Sequence, residues 1–371
     1  MEKTKQEDLD FIFSKFSEVV RDKLEGHSDT VNSVDILDPS KSIGKKLNTE
    51  QNYLSKQQFH EHGLLLSASA DKTMAIWDLR LNKRIMMIQD SSQIVDEIVK
   101  AKFMSDSHVI CATSNVIGLF DIRKPAIILK KLDLSTLIGE DEVNDIDVNQ
   151  MDNGVFQVTT CDDLGQVYIH ELDLSSEVPG FSLKNTLKSK HTNICFKTKF
   201  SKNNPSIVYS AAFDYKLVQW NLKDLSKSSS KSIIDIMKKN FGEDSLHYNP
   251  PFIYSMDTYQ VRDSEFIVVG LGNGCILRFK KKNLALEEID ADIHRDQISA
   301  LIIDKVNNIL ITGSNDLTVG FHRMSDDRLI EQTLLKVEVE NKINDMAMNK
   351  SFRELYVADL SKTISKFTIR Q

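Results

Sequence analysis

The sequence has few cysteines, and none of them stand in pairs. The four, Cys111, Cys161, Cys195 and Cys275, are scattered through 371 residues, without the close spacing that zinc or redox sites require. We therefore expect free thiols that act as small buried apolar side chains, in a reducing compartment.

The chain also lacks a long apolar run. No uninterrupted apolar span reaches the roughly 18 residues that a membrane helix needs. The N-terminal stretch MEKTKQEDLDFIF has neither the apolar core nor the cleavage site of a signal peptide. These absences predict a cytoplasmic or nuclear protein without a membrane partner.

An excess of positive charge and the common catalytic motifs are missing as well. The formal net charge is −7, whereas domains that grip nucleic-acid phosphates carry a basic excess. The sequence has no Gly-rich phosphate loop, nucleophile elbow or metal-binding helix motif. His60 and His62 flank Glu61, but two histidines at this spacing bind metal poorly without a third ligand. We predict no enzyme, no cofactor, no metal and no direct nucleic-acid partner.

One pattern is present, and it repeats. The stretch LLLSASADKTMAIWDLR, residues 64–80, joins an apolar run to an alternating run through a tight polar turn, which predicts a β-hairpin. Six similar hairpins follow it. The units end at Trp77, Phe120, His170, Trp220, Phe279, His322 and Phe367, with spacings of 43, 50, 50, 59, 43 and 45 residues. A period of about 40 to 45 residues with four short strands per unit is typical of propeller blades.

The repeats predict an all-β fold, one seven-bladed β-propeller over residues 1–371. Outer strands are expected at residues 84–88, 126–132 and 328–335. Because the chain ends just after the third strand of the last blade, an N-terminal strand at 18–25 is expected to close the ring, although apolar residues there also recur at helical spacing. The expected blades are 26–90, 91–133, 134–186, 187–238, 250–290, 291–335, and 336–371 together with 18–25. Residues 1–15 are expected to be flexible or a short helix, and insertions are expected at 38–61 and 226–250.

Two blades carry the motif by which the sequence resembles the WD-repeat family. In that family, a His before the first strand, a Ser or Thr in the second, an Asp in the turn and a Trp in the third form a buried hydrogen-bonded set, here called a tetrad. The resemblance implies tetrads of His27, Ser67, Asp71 and Trp77 in blade one, with Ser69 as an alternative to Ser67, and of His191, Ser210, Asp214 and Trp220 in blade four. Blade six keeps His294, Thr312 and Asp316 but has His322 in place of the Trp. Blade three has His170 there and the rest have Phe, so these blades are expected to rely on apolar packing.

The order of features further resembles one group within that family. These features are FDIR at the end of blade two, the blade-four stretch KHTNICFKTKFSKNNPSIVYSAAFDYKLVQWNL, NPPFIYS in blade five, TGSNDLTV in blade six and the terminal LYVADLSKTISKFTI.

Blades one and two end in similar tetrapeptides, WDLR and FDIR. Asp78 with Arg80, and Asp121 with Arg123, resemble the double Asp-x-Arg box of propellers that serve as substrate receptors of cullin-4 ubiquitin ligases through a DDB-type adaptor. The resemblance implies a non-enzymatic interaction scaffold, a monomer within a complex. The alternative is that these arginines are ordinary solvated charges on a general scaffold, for example a histone- or complex-binding one.

The opposite face is expected to hold the cargo. Phe213 and Tyr215 lie in the tight turn of blade four, where aromatic side chains are candidate interface anchors. The alternative is that they pack on the neighbouring blade. The Lys-containing insertion 38–61 is expected to be a disordered loop on the box side, and the Ser/Lys part of 226–250 is expected to be a mobile linker. An enzyme that uses groups gathered in the central channel also stays open.

Overall fold

Seven antiparallel hairpins of the predicted kind form in the computed structural model, each within its own sheet. The structure describes residues 19–37, 63–123, 127–130, 132–151, 154–176, 178–242, 249–349 and 354–369. The prediction of an all-β, seven-bladed propeller is confirmed. The expectations for residues 1–15, for the insertion 38–61 and for His60, Glu61 and His62 lie outside the described residues.

The strands follow one another blade by blade. The first strand is β1 (Val19–Glu25). Blade one contains β2 (Val31–Leu37), β3 (Leu64–Ser69), β4 (Met74–Asp78) and β5 (Lys83–Ile88), and β9 (Ile128–Leu129) joins its sheet. Blade two contains β6 (Ile98–Phe103), β7 (His108–Thr113), β8 (Val116–Asp121) and β10 (Leu134–Leu137). Blade three contains β11 (Val143–Gln150), β12 (Val155–Asp162), β13 (Val167–Asp173) and β14 (Gly180–Leu187). Blade four contains β15 (Cys195–Phe200), β16 (Ile207–Ala212), β17 (Lys216–Asn221), β18 (Ser229–Ser232) and the helix α1 (Ile233–Phe241). Blade five contains β19 (Ile253–Val261), β20 (Ser264–Leu271), β21 (Ile276–Lys280) and β22 (Ala285–Asp290). Blade six contains β23 (Ile298–Asp304), β24 (Ile309–Ser314), β25 (Thr318–Arg323) and β26 (Gln332–Glu338). Blade seven contains β27 (Ile343–Met348), β28 (Glu354–Asp359) and β29 (Thr363–Ile369).

The first strands of the blades contact one another in cyclic order around a central channel. Each second strand lies between the first and third strands of its own blade, and its faces contact the neighbouring blades. Every residue of β3, β16 and β24 is therefore buried. Burial on both faces explains why these strands are runs of apolar and small residues rather than alternating ones. The turns between second and third strands all lie on one face of the ring, here the hairpin face, and the ends of the third strands lie on the other, here the box face.

The N-terminal strand closes the ring, as predicted. β1 pairs antiparallel with β29, from Val19 opposite Ile369 to Glu25 opposite Thr363, and so completes blade seven. Leu24 is 3% exposed and packs in a cluster that joins blades seven and one. The edge of the last blade is therefore covered by strand pairing and by apolar burial.

The outer strand of blade two differs from the expectation. It is Leu134–Leu137, paired with β8, so the boundary expected at residue 133 lies after residue 137. Within the expected segment 126–132, Ile128–Leu129 instead pairs parallel with β5 of blade one. An outer strand is partly exposed on both faces, so its sequence lacks the alternation that reveals inner strands.

The expected linker in blade four is also wrong. Ser229–Ser232 forms the outer strand of that blade, and the helix Ile233–Phe241 follows it directly. The Ser232 hydroxyl caps the helix by accepting a hydrogen bond from the Asp235 N–H at 3.4 Å. Ile233 and Met237 are buried against blades four and five, which holds the helix in place.

Ring closure makes Leu24 a sensitive position. We expect Leu24→Ala to lower the free energy of unfolding by about 2–4 kcal/mol, since it leaves a cavity between the first and last blades. Asp22→Ala, at an exposed position of the same strand, should change it by less than about 0.5 kcal/mol. Urea unfolding of both variants tests this, and equal small effects would contradict closure by β1.

Candidate functional site

The tetrads of blades one and four have matching geometry. In blade one, Ser67 Oγ accepts a hydrogen bond from Trp77 Nε1 and lies 2.8 Å from both that atom and His27 Nε2. The other ring nitrogen of His27 lies 3.0 Å from Asp71 Oδ2. Ser67, not Ser69, is the tetrad serine, because the Ser69 hydroxyl donates to the Asp29 carbonyl instead.

Blade four repeats this arrangement. Ser210 Oγ lies 2.7 Å from both Trp220 Nε1 and His191 Nε2, and His191 Nδ1 lies 3.2 Å from Asp214 Oδ1. The serine, tryptophan and histidine side chains are buried, so one hydroxyl pairs two ring nitrogens out of contact with water. The set joins the second and third strands to the loop before the first strand.

Blade six forms a complete set with a histidine in place of the tryptophan. His322 Nε2 lies 2.9 Å from Thr312 Oγ1, which is 2.7 Å from His294 Nε2. Burial, with a smaller effect of His294, lowers the pKa of His322 to about 3, so the ring stays neutral and serves as a hydrogen-bonding side chain. The expectation that blade six relies on apolar packing alone is therefore wrong, because an imidazole reaches the same hydroxyl.

The Ser210 hydroxyl of the blade-four tetrad is expected to contribute strongly to stability. Ser210→Ala leaves the Trp220 and His191 nitrogens buried without their partner, so we expect a loss of about 2–4 kcal/mol in the free energy of unfolding. Ser230→Ala, on the exposed outer strand of the same blade, is the matched control and should have almost no effect. Chemical denaturation measures both, and a loss below about 1 kcal/mol for Ser210→Ala would contradict the tetrad's role.

Asp71 makes the stability of the protein depend on pH. Burial raises the pKa of its carboxyl, but hydrogen bonds from His27, Thr73 and the Ser28 backbone outweigh burial, so the pKa lies well below its usual value. A carboxylate with a depressed folded pKa contributes stability above the unfolded pKa of about 3.9, and this contribution is lost as the pH falls further.

We therefore expect Asp71→Asn to lower the free energy of unfolding at pH 7 by about 1–3 kcal/mol, because an amide N–H₂ replaces one acceptor oxygen. The difference from the unmodified protein should shrink below about pH 4. Urea unfolding at pH 7, 5 and 3 measures it, with the exposed Asp22→Asn as control. A difference that stays constant over this range would show that the charge has no role.

The two Asp-x-Arg boxes lie on the box face, at the ends of the third strands of adjacent blades. In both, the aspartate accepts the backbone N–H of the arginine, at 2.9 Å for Asp78 and at 3.0 Å for Asp121. Both arginines are exposed, with 40% of the Arg80 side chain and 49% of the Arg123 side chain accessible. Each aspartate thus shapes the turn from which its arginine projects.

The two boxes differ in how the arginine is held. Arg123 Nε and Nη2 donate to Asp121 at 2.9 and 2.7 Å. Burial raises the pKa of Asp121, but the hydrogen bonds and charge of Arg123 outweigh it and hold the pKa below its usual value. Arg80 Nη2 lies farther from Asp78 Oδ2, at 3.5 Å. Arg80 is therefore the less restrained of the two guanidinium groups.

One exposed apolar side chain lies beside the first box. Leu81 follows Arg80 directly and is 49% exposed. Ile127, which is 82% exposed, lies elsewhere, because its carbonyl accepts the N–H of Met87 at 2.8 Å. Met87 lies opposite Ala75, near the hairpin-face end of β5, so Ile127 is distant from the boxes.

On the hairpin face, Phe213 and Tyr215 belong to a larger group of aromatic side chains. The rings of Phe213 and Tyr215 lie 4.9 and 4.5 Å from that of Phe252 in blade five. Phe196 and Tyr254 lie 5.3 and 5.4 Å from Phe213. These five half-buried rings, here the aromatic strip, connect the mouth of the channel to the turn of blade four. Phe213 and Tyr215 therefore do contact the neighbouring blade, and they remain partly accessible.

Sequence analysis missed Phe196 and Tyr254 because their position depends on strand register. In every first strand the pairing register shifts between the first and third residues, so the second residue forms a β-bulge. This bulged residue lies at the mouth of the channel. A β-bulge redirects a side chain in this way. The seven bulged residues, here the mouth ring, are Asn32, Val99, Asn144, Phe196, Tyr254, Ser299 and Asn344.

Deeper in the channel, carboxylates join neighbouring blades. Asp35 Oδ2 accepts the Phe103 N–H at 2.8 Å, and Asp147 Oδ2 accepts the Phe200 N–H at 3.0 Å. Similar bonds connect Asp145 to Thr198, Asp257 to Ile303 and Asp345 to Val34. Each aspartate on one first strand therefore holds the backbone of the next or a neighbouring first strand.

Lysines balance these carboxylates. Lys100 pairs with Asp345 at 2.6 Å, Lys102 with Asp147 at 2.7 Å and Lys199 with Asp257 at 3.2 Å. Burial raises the pKa of Asp257, but the charges of Lys199 and Lys202 outweigh burial and bring it to about 2. These ion pairs and hydrogen bonds give the charged groups of the channel a structural role, because they connect one blade with another. That the protein is not an enzyme stays a prediction.

The described part of the chain holds no group of three or more His, Cys, Asp or Glu side chains that could hold a metal ion. Its four cysteines are free and buried. Within the same residues, no helix is long and apolar enough to cross a membrane.

Comparison with known proteins agrees with the fold. A family model described as "WD domain, G-beta repeat" matches residues 18–78, which include β1 and the first three strands of blade one. The chain is similar to a "WD repeat-containing protein 53 homolog" of Dictyostelium discoideum, with 24% identity over 383 residues and 95% of each chain covered. The resemblance to the WD-repeat family is confirmed, as is that to WD repeat-containing protein 53 indicated by the order of features. A WD40 propeller implies a protein-interaction scaffold.

Proposed function

We propose that this protein is a substrate receptor of a cullin-4 ubiquitin ligase and binds a DDB-type adaptor through its Asp-x-Arg boxes. It works as a non-enzymatic, monomeric bridge within that complex, in the cytoplasm, the nucleus or both. The observation that most supports this function is the matched placement of Arg80 and Arg123. They are exposed at corresponding positions of adjacent blades, on one face.

The chemistry of the boxes suits a protein interface. A guanidinium group makes paired, directional hydrogen bonds, and the aspartate of each box fixes the backbone behind it. Leu81 adds exposed apolar surface next to Arg80. Apolar contacts that exclude water strengthen polar contacts at the centre of an interface.

A general scaffold without a ligase role is the second candidate. The two hydrogen bonds between Arg123 and Asp121 favour it, because they satisfy part of the guanidinium group within its own turn. In that function, partners such as histones or other complexes bind elsewhere on the ring, and the arginines are solvated charges. In both functions, Phe213 and Tyr215 on the hairpin face are the candidate contacts for cargo.

The arginines distinguish the two functions. We expect the double variant Arg80→Glu with Arg123→Glu to recover at least tenfold less DDB-type adaptor than the native protein when each is purified from cells. Charge reversal removes both donor groups and repels an acidic partner surface. Quantitative mass spectrometry of the co-purifying proteins measures the adaptor directly.

Blade four offers a matched control. Lys223 is exposed at the position corresponding to Arg80 and Arg123, after Asn221 in place of the aspartate. Lys223→Glu makes a similar change on the same face and should leave adaptor recovery unchanged. Equal recovery with the native protein and the double variant, or no adaptor with either, would overturn the receptor function in favour of the general scaffold.

A further inference from the structure

We propose that the channel mouth on the hairpin face binds an acidic side chain of a partner peptide, which pairs with Lys197, while a neighbouring apolar residue of that peptide packs on the aromatic strip. This site is distinct from the Asp-x-Arg boxes. It does not depend on the ligase function, because any scaffold built on this propeller would carry it.

Lys197 is the least satisfied cation of the channel. Among the residues that the structure describes, no carboxylate is within ion-pair distance of its ammonium group, whereas Lys100, Lys102 and Lys199 each have one. Its Nζ instead lies 4.6 Å from the centre of the Phe196 ring. A desolvated cation without an anion gains more from a new carboxylate than one that is already paired.

The electrostatic surroundings agree with this geometry. Burial lowers the pKa of Lys197, the charge of Lys100 lowers it further, and Asp145 and Asp345 only partly compensate. Of these two carboxylates, Asp145 accepts the Thr198 N–H at 3.1 Å and Asp345 pairs with Lys100. An incoming carboxylate would therefore meet a lysine that feels the charge of Asp145 but has no carboxylate of the described residues within ion-pair distance.

The space at Lys197 suits a single side chain. Lys197 and Lys100 line both the channel and a cavity of about 240 Å³ at its mouth. This volume lies below the roughly 300–1,000 Å³ of typical small-molecule sites. The mouth is also asymmetric, because Phe196 and Tyr254 occupy neighbouring positions of the mouth ring, 5.6 Å apart, and Asn, Ser or Val occupy the others.

The polar side of the mouth presents acceptors for a peptide backbone. The amide N–H₂ groups of Asn32, Asn144 and Asn344 each donate to the carbonyl of a neighbouring blade, at 3.1, 3.2 and 3.0 Å. These bonds fix the amide groups, and the amide oxygens stay available to a ligand N–H. The carboxylate of Glu97 at this side is held by Asn32 at 3.1 Å.

Tyr215 extends the aromatic strip out from the mouth. Its φ of 63° lies in the left-handed region, as do those of Lys72 and Leu317 in the corresponding turns of blades one and six, whereas glycine occupies this position in blades three and five. A non-glycine residue there costs on the order of 1 kcal/mol. The Tyr215 ring lies 4.5 Å from that of Phe252 and is half-buried, so it adds accessible apolar surface beside the mouth.

The probe is a pool of fluorescein-labelled nonapeptides with a central Glu flanked by Phe or Leu and varied elsewhere. Matched pools carry Gln or Lys at the centre. We expect saturable binding of the Glu pool by fluorescence anisotropy, with at least tenfold weaker binding of the other two. Lys197→Gln should weaken binding of the Glu pool at least tenfold, and Lys223→Gln on the box face should not affect it.

Tyr215→Gly separates binding from folding. Glycine suits the left-handed turn, so the variant should unfold at the same temperature as the native protein or higher, and yet bind the Glu pool at least threefold more weakly. Equal or tighter binding of the Lys pool, unchanged binding after Lys197→Gln, or no binding of the Glu pool would each overturn the proposal. None of these measurements involves the adaptor, so their outcome is independent of the ligase function.

Discussion

Closure of the ring is the constraint on which the rest of this structure depends. Arg21 Nη2 donates to Ser365 Oγ at 3.1 Å across 344 positions of the chain, within the pairing of β1 and β29. The entropic cost of closing a loop rises only with the logarithm of the loop length. Closing this loop therefore costs roughly 3 kcal/mol more free energy than closing a loop of about ten residues. Strand pairing and the burial of Leu24 offset that cost, and closure then fixes which side chains meet in the channel.

The channel aspartates connect neighbouring blades by hydrogen bonds, as the tetrads connect the strands within one blade. A buried ion pair such as Lys102 with Asp147 adds little net stability over an apolar pair, since both charges lose water. Asp147 also accepts a hydrogen bond from the Phe200 N–H of the next blade. This bond fixes the relative position of the two first strands along their length. The channel charges therefore specify the relative position of the blades, and this position places the mouth ring.

The hairpins could be predicted from sequence because the alternation of a half-buried strand is a local pattern. The tetrads of blades one and four could be predicted because their residues, Trp77 and Ser67 among them, match the pattern of the WD-repeat family. The outer strands expected at 84–88 and 18–25 are present, but those of blades two and four could not be predicted, since Leu134–Leu137 and Ser229–Ser232 are short and partly exposed. The site at Lys197 was missed for another reason: its partial burial and its lack of an anion depend on a bulge and on three neighbouring blades, none of which a single segment reveals.

The box arginines are a feature that folding does not require. Asp173 and Asn221 end the third strands of blades three and four as Asp78 does in blade one, and they accept the N–H groups of Ser175 and Lys223 at 2.8 and 3.1 Å. The turn thus needs an acceptor at its first position, but it forms equally well when the third residue is Ser or Lys. An arginine at the third residue is therefore not needed to form the turn, although Arg123 adds two side-chain hydrogen bonds to Asp121.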